Sequence, residues 1–159
     1  MSATPRTELD LTDLPRMDQS LLWAIRTWVL GRRLGEDMGA KIEAVFRHIG
    51  VADASHPLEG FLWVLSQGLT RSLQVNCTCQ TAVSPDETRL LAVFEWLAED
   101  KPDEAETMLS DMANERAALL ALDCALRVVL QFRAGGHGSA PVERATGKVV
   151  SLAQARMVH

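Results

Sequence analysis

The stretch that decides the fold is residues 84–97, SPDETRLLAVFEWL. It begins with Ser84 as a helix N-cap and Pro85 as the first helical residue, and Glu87 completes a capping box. The apolar residues that follow have the spacing of a buried helical face; they are Leu90, Leu91, Phe94 and Leu97. The stretch therefore predicts a helix that packs into an apolar core.

Three further helices are predicted on the N-terminal side of this stretch. The first runs from about Asp18 to Leu34, carries apolar residues on two sides, and ends at Gly35. The second has its apolar residues between positions 42 and 49, and Gly50 is expected to end it in the left-handed conformation. The third starts near Pro57, which suits a first helical turn.

Two helices are predicted on the C-terminal side. Pro102 opens the first of them, and Asn114 caps a last helix that runs to about Arg133. Because this last helix is apolar around most of its circumference, we expect it to be the central and most buried one. In the third helix, Gly60 and Gly68 would permit a neighbouring helix to approach closely.

These patterns predict an all-α fold, an irregular five- to six-helix bundle that occupies residues 17–134. Residues 1–16 contain two prolines and no sustained period, so they are predicted to be a flexible N-terminal arm. The glycine-rich start of residues 135–159 predicts a flexible linker and tail. A length of 159 residues suits one domain, and a hydrophobic fraction of 47% is enough to build its core.

The charge and hydropathy patterns argue against two classes of partner. The net charge is −5 and the basic residues are not clustered, so binding to nucleic acid is not expected. No run approaches the roughly 20 apolar residues that cross a bilayer, so no membrane span is expected. The first residues lack the basic segment and apolar run of a signal peptide. We therefore expect a cytoplasmic location, where the three cysteines are reduced thiols.

Cys77 and Cys79 are separated by one residue in a segment without helical rhythm. Thiolates are soft ligands for zinc or Cu(I), and Cys124 is a candidate third ligand or resolving thiol. In the competing interpretation, Cys77 and Cys79 line a loop packed on the bundle and Cys124 is a small core residue. The sequence leaves both interpretations open; zinc belongs only to the first, and no cofactor is otherwise expected.

Trp23 and Leu30 are candidate interface residues. They are seven residues apart in the first helix and therefore lie on one face, opposite the main apolar stripe. Tryptophan is enriched at binding hot spots, so this face is predicted to contact a second subunit or another protein. The alternative is that it packs against the last helix or under the N-terminal arm.

The sequence favours a non-catalytic protein-interaction or regulatory module, with a second copy of itself, as a homodimer, or another protein as partner. An enzyme is not expected, because the chain contains neither Glu-x-x-His nor Gly-x-Ser-x-Gly spacing. The alternative is a thiol-based metal-binding or redox-responsive protein that uses Cys77 and Cys79. A third hypothesis is a small-molecule-binding bundle with a pocket lined by Trp63 or Trp96.

Overall fold

The computed structural model describes residues 9–137, and the all-α prediction is confirmed there. Within this range the chain forms six α-helices and no β-strand, and its β-type pairing is limited to two isolated bridges. The helices are α1 (Arg16–Leu34), α2 (Gly39–His48), α3 (Ser55–Gly68), α4 (Pro85–Ala98), α5 (Pro102–Ser110) and α6 (Glu115–Ala134). The predictions for residues 1–8 and 138–159 lie outside the described residues.

Helix α4 has the largest buried fraction of the six helices. The predicted capping box is present, with the Ser84 side chain accepting from the Glu87 N–H and the Glu87 carboxylate accepting from the Ser84 N–H. Nine of the fourteen residues of α4 are buried, which exceeds the proportion expected for a surface helix with one apolar face. Phe94 packs against Phe61 of α3 with 4.9 Å between ring centroids. The helix with the clearest sequence signature is therefore the most buried one.

Helix α6 is not the most buried helix, so the prediction that the last helix is the most buried one was wrong. Helices α3, α4 and α5 all pack against α6 on one side, and only seven of its twenty residues are buried. Its opposite side is exposed even where the residues are leucines. Apolar composition predicts which positions could be buried, but it does not show on how many sides neighbouring helices lie.

Helices α3 and α6 approach closely at the two glycines of α3, as predicted. A Cβ atom placed on Gly68 would lie 2.3 Å from the Cβ of Ala117, and one placed on Gly60 would lie 3.3 Å from the Sγ of Cys124. The order of these contacts makes the two helices antiparallel. The Asn114 N–H, at the start of α6, donates to the carbonyl oxygen of Gly68 at 2.8 Å.

Residues 9–15, which the sequence predicts to be part of a flexible arm, are ordered in the fold. Leu14 is buried, and a 3₁₀ turn over Leu11–Asp13 precedes α1. The Val83 N–H donates to the Leu9 carbonyl at 2.9 Å, and the Leu11 N–H donates to the Thr81 carbonyl at 2.7 Å. Residues 9–15 are therefore held against the bundle, because their leucines pack on the core and their backbone pairs with the segment before α4.

A left-handed turn ends α2, and a histidine contact holds the residue that follows α6 and its glycines. Gly50 has φ +86°, and the Val51 N–H donates to the Phe46 carbonyl at 2.8 Å, so the predicted left-handed cap of α2 is confirmed. His137, at the C-terminal end of the described residues, does not belong to the predicted flexible linker. Its Nε2 lies 3.0 Å from the Ile49 carbonyl oxygen, and its ring contacts Phe132 at 5.9 Å between centroids.

Across residues 9–137, no helix is long and apolar enough to span a bilayer.

Candidate functional site

The exposed side of α6 carries four leucines, here called the leucine face: Leu119, Leu120, Leu126 and Leu130. Each is 41–48% exposed, and they are four of the seven large hydrophobic side chains that are exposed between residues 9 and 137. At 100° per residue, Leu119, Leu126 and Leu130 fall within about 40° of one another. Exposed apolar side chains that cluster in this way are typical of binding sites for other macromolecules.

An ion pair runs along the middle of the leucine face. Arg127 Nε lies 3.1 Å from Asp123 Oδ2, one helical turn away, and both side chains are more than 60% exposed. On the helical wheel the pair lies between Leu130 and Leu120. The leucine face therefore carries one negative and one positive side chain near its centre, between residues 119 and 130. Because the pair is solvated, its contribution to the stability of the chain itself is small.

The two residues predicted as interface anchors lie in different environments. Trp23 is half-buried and packs against the core, while Leu30 is 38% exposed. The prediction that these residues bind a partner stays a prediction, and the larger exposed apolar surface is on α6. The sequence shows that α6 contains these leucines but not that they are exposed, because neighbouring positions in the same helix are also apolar.

A groove of about 600 Å³ lies where the end of α1, the start of α2 and the first half of α3 meet. Trp63, which the small-molecule hypothesis singled out, lines it together with Trp28. The Arg32 guanidinium lies between these rings, 4.8 Å from the Trp63 centroid and 5.4 Å from the Trp28 centroid. Trp96 does not line this groove; Lys101 Nζ lies over its ring at 5.3 Å.

Carboxylates form part of the groove wall. Partial burial raises the pKa of Glu59, and the negative charge of Asp37 adds to the effect, whereas His56 opposes it. The groove therefore combines two indoles, one guanidinium and several acidic groups. Its volume is within the range of small-molecule sites, roughly 300–1,000 Å³.

The cysteines lie in two different settings. Cys77 and Cys79 are exposed in the loop between α3 and α4, whereas Cys124 is half-buried on α6 beside Gly60. Among residues 9–137, no group of three or more His, Cys, Asp or Glu side chains is placed to hold a metal ion. The structure therefore does not assemble Cys77, Cys79 and Cys124 into a three-ligand site.

A buried ion pair that the sequence does not predict anchors the Cys77–Cys79 loop. Arg26 of α1 donates to both carboxylate oxygens of Glu87, at 2.8 and 2.9 Å, and the two side chains are at most 2% exposed. Arg26 also donates to the carbonyl oxygens of Gln80 and Ala82, at 2.7 and 2.8 Å. In the sequence, Arg26 only interrupts the apolar run from Leu21 to Leu30, and Glu87 is predicted only as a capping residue.

The Glu87 carboxylate is fully hydrogen-bonded. Besides Arg26, it accepts from the Ser84 N–H at 2.9 Å and from the Asn76 N–H at 2.8 Å. A buried charge pair is tolerated when its remaining donors and acceptors are satisfied in this way. We call this set of contacts the Arg26–Glu87 clamp, because it ties the loop on both sides of the two cysteines to α1 and α4.

Comparison with protein-family models, with curated proteins and with solved structures finds no match. The class is therefore defined by the chain's own features. It is an all-α bundle with a leucine face on its last helix, a groove lined by tryptophans and a clamped loop that displays two thiols.

Proposed function

We propose that this protein is a non-catalytic interaction module that forms a homodimer through the leucine face of α6. The observation that carries the proposal is the concentration of leucines on one side of one helix, where the rest of residues 9–137 leaves 41–48% of each side chain exposed. Full burial of a leucine side chain stabilises a complex by about 1.5–3 kcal/mol before the cost of association, and these leucines, which are 41–48% exposed, can gain roughly half of that. A surface of this composition therefore favours a partner that excludes water from it.

A second copy of the chain is the occupant that fits the charges. In an antiparallel pair of α6 helices related by a two-fold axis at the level of residue 125, Leu120 lies opposite Leu130 of the other copy. The same axis places Asp123 opposite Arg127 in both directions. Isologous dimers require this kind of self-complementarity. The face is thus complementary to itself in charge.

The first experiment tests whether the leucine face mediates the dimer. The full chain is expected to sediment as a dimer, and replacement of both Leu126 and Leu130 by Gln is expected to weaken the dimer roughly hundredfold or more in Kd. Leu34→Gln is the matched control, because Leu34 is 59% exposed but lies on α1. Sedimentation equilibrium over a range of concentrations gives the three Kd values. A wild-type chain that stays monomeric into the millimolar range contradicts the proposal.

A charge-swap series tests the antiparallel arrangement separately. Asp123→Arg places like charges opposite each other and is expected to weaken the dimer roughly tenfold. Adding Arg127→Asp restores opposite charges and is expected to recover most of the affinity. In a parallel dimer Asp123 would face Asp123 of the other copy, so Asp123→Arg would replace one like-charged pair by another. Equal Kd values for both variants would rule out the antiparallel pairing.

A second candidate function, the binding of a small molecule, is supported by the groove between Trp28 and Trp63. Its volume and its mixture of aromatic and charged walls are typical of ligand sites. Native mass spectrometry of protein purified without denaturation tests it. A bound mass that is absent from the Trp63→Ala variant supports ligand binding, whereas the bare chain mass in both proteins contradicts it.

A further inference from the structure

The loop between α3 and α4 presents Cys77 and Cys79 on a tight turn. The Gln80 N–H donates to the Cys77 carbonyl oxygen at 3.0 Å and closes the turn. Within it, the Cys79 N–H lies 3.3 Å from the Cys77 Sγ atom. Both cysteines are exposed, so small reagents in solution can reach them.

The turn is held in place at both ends by the Arg26–Glu87 clamp. On the N-terminal side the Asn76 N–H donates to Glu87, and on the C-terminal side the Gln80 carbonyl accepts from Arg26. The Asn76 side chain also donates to the Ala82 carbonyl at 2.9 Å, across the base of the loop. The two thiols are therefore displayed on a fixed segment, which reduces the entropy that is lost when they react with each other.

The two thiols differ in acidity. Hydrogen bonds from the Cys79 thiol and the Cys79 N–H lower the pKa of Cys77, and the positive charge of Arg26 contributes more weakly. The pKa of Cys79 is raised, chiefly because its thiol hydrogen-bonds to Cys77. Burial raises the pKa of Cys124, and nearby Asp123 adds to the effect. Cys77 is therefore the best nucleophile of the three, since the thiolate is the reacting form.

We propose that Cys77 and Cys79 form a reactive dithiol that closes reversibly to a disulfide by exchange with a small-molecule disulfide. The Cys77 thiolate attacks one sulfur of the small disulfide, which forms a mixed disulfide and releases one thiolate. Cys79, after losing its proton, attacks the Cys77 sulfur, forms the Cys77–Cys79 bond and releases the second thiolate. The two protons lost by the cysteines are taken up by the two released thiolates, so the small disulfide is the oxidant and is reduced to two thiols.

The spacing of the two cysteines permits this bond. Two residues of extended chain span about 7 Å between Cα atoms, and a turn shortens that span. Disulfides form at Cα separations of about 4.4–6.8 Å. Because the product lies in an exposed loop, small thiols can reduce it again. Cys124 takes no part, since it lies beside Gly60 on the α3 side of α6.

Incubation of the full chain in buffers of oxidised and reduced glutathione tests this proposal. After acid quenching and alkylation, intact mass and peptide mapping are expected to show a Cys77–Cys79 disulfide and an alkylated Cys124. In Cys79→Ser the reaction is expected to stop at a glutathione adduct on Cys77. The matched control Cys124→Ser is expected to form the same disulfide as the wild type.

The rate of alkylation gives an independent readout. Cys77 is expected to react roughly tenfold faster than Cys124 at neutral pH, and its reactivity is expected to rise at lower pH than that of an ordinary thiol. A stable glutathione adduct on wild-type Cys77 would overturn the proposal, because Cys79 would then fail to resolve it. Equal alkylation rates for Cys77 in the folded chain and in the urea-unfolded chain would also overturn it.

Discussion

Glu87→Gln is expected to lower the free energy of unfolding by about 3–5 kcal/mol, the cost of leaving a buried charge without its partner. The substitution keeps the size of the side chain but replaces one carboxylate oxygen by a donor and removes the negative charge that faces Arg26. The guanidinium then remains buried between α1 and the loop, with two carbonyl oxygens as its other acceptors. Urea denaturation followed by far-ultraviolet circular dichroism measures the change.

Glu43→Gln is the matched control for this prediction. Glu43 pairs with Arg47 at 2.7 Å within α2, and both side chains are about half or more exposed. Loss of a solvated pair of this kind is expected to change the free energy of unfolding by less than about 1 kcal/mol. If Glu87→Gln and Glu43→Gln lower the stability equally, the Arg26–Glu87 clamp does not have the role assigned to it.

The helices could be predicted from the sequence because their ends depend on local chemistry. Ser84, Pro85 and Glu87 define the start of α4 through contacts with their own backbone, and Gly50 ends α2 for a similarly local reason. The position of α6 in the bundle could not be predicted in this way. Whether Leu126 is covered depends on where α3, α4 and α5 lie, and these contacts join residues far apart in the chain.

The candidate sites also divide into those that a local sequence pattern predicts and those that depend on contacts between distant residues. The nearness of Cys77 to Cys79 is evident from their spacing, so the Cys77–Cys79 loop could be predicted as a candidate site from the sequence. The Arg26–Glu87 clamp joins residues 61 positions apart, and nothing in the local pattern pairs them. Likewise, Trp28 and Trp63 come together around Arg32 only after α1 and α3 have packed.

Gly68→Ala tests the close contact between α3 and α6. The added methyl group would lie 2.3 Å from the Ala117 Cβ and 3.0 Å from the Asn114 Nδ2, so the two helices must separate. Overpacking of this kind typically costs about 1–3 kcal/mol, which exceeds the gain of about 0.5–1 kcal/mol from replacing glycine in a helix. Gly68→Ala is therefore expected to lower the midpoint of thermal unfolding.

Gly60→Ala separates the steric effect from the loss of a glycine. Its added Cβ would meet only the Cys124 Sγ, at 3.3 Å, so this variant is expected to match the wild type within about 1 kcal/mol. A compensating change gives the sharper test. In the double variant Gly68→Ala with Ala117→Gly, the methyl group moves from one helix to the other, so Gly68→Ala is expected to cost less stability in the Ala117→Gly background than in the wild type. An equal cost in both backgrounds would show that the cost does not arise at this contact, since removal of the opposing methyl group leaves room for the new one.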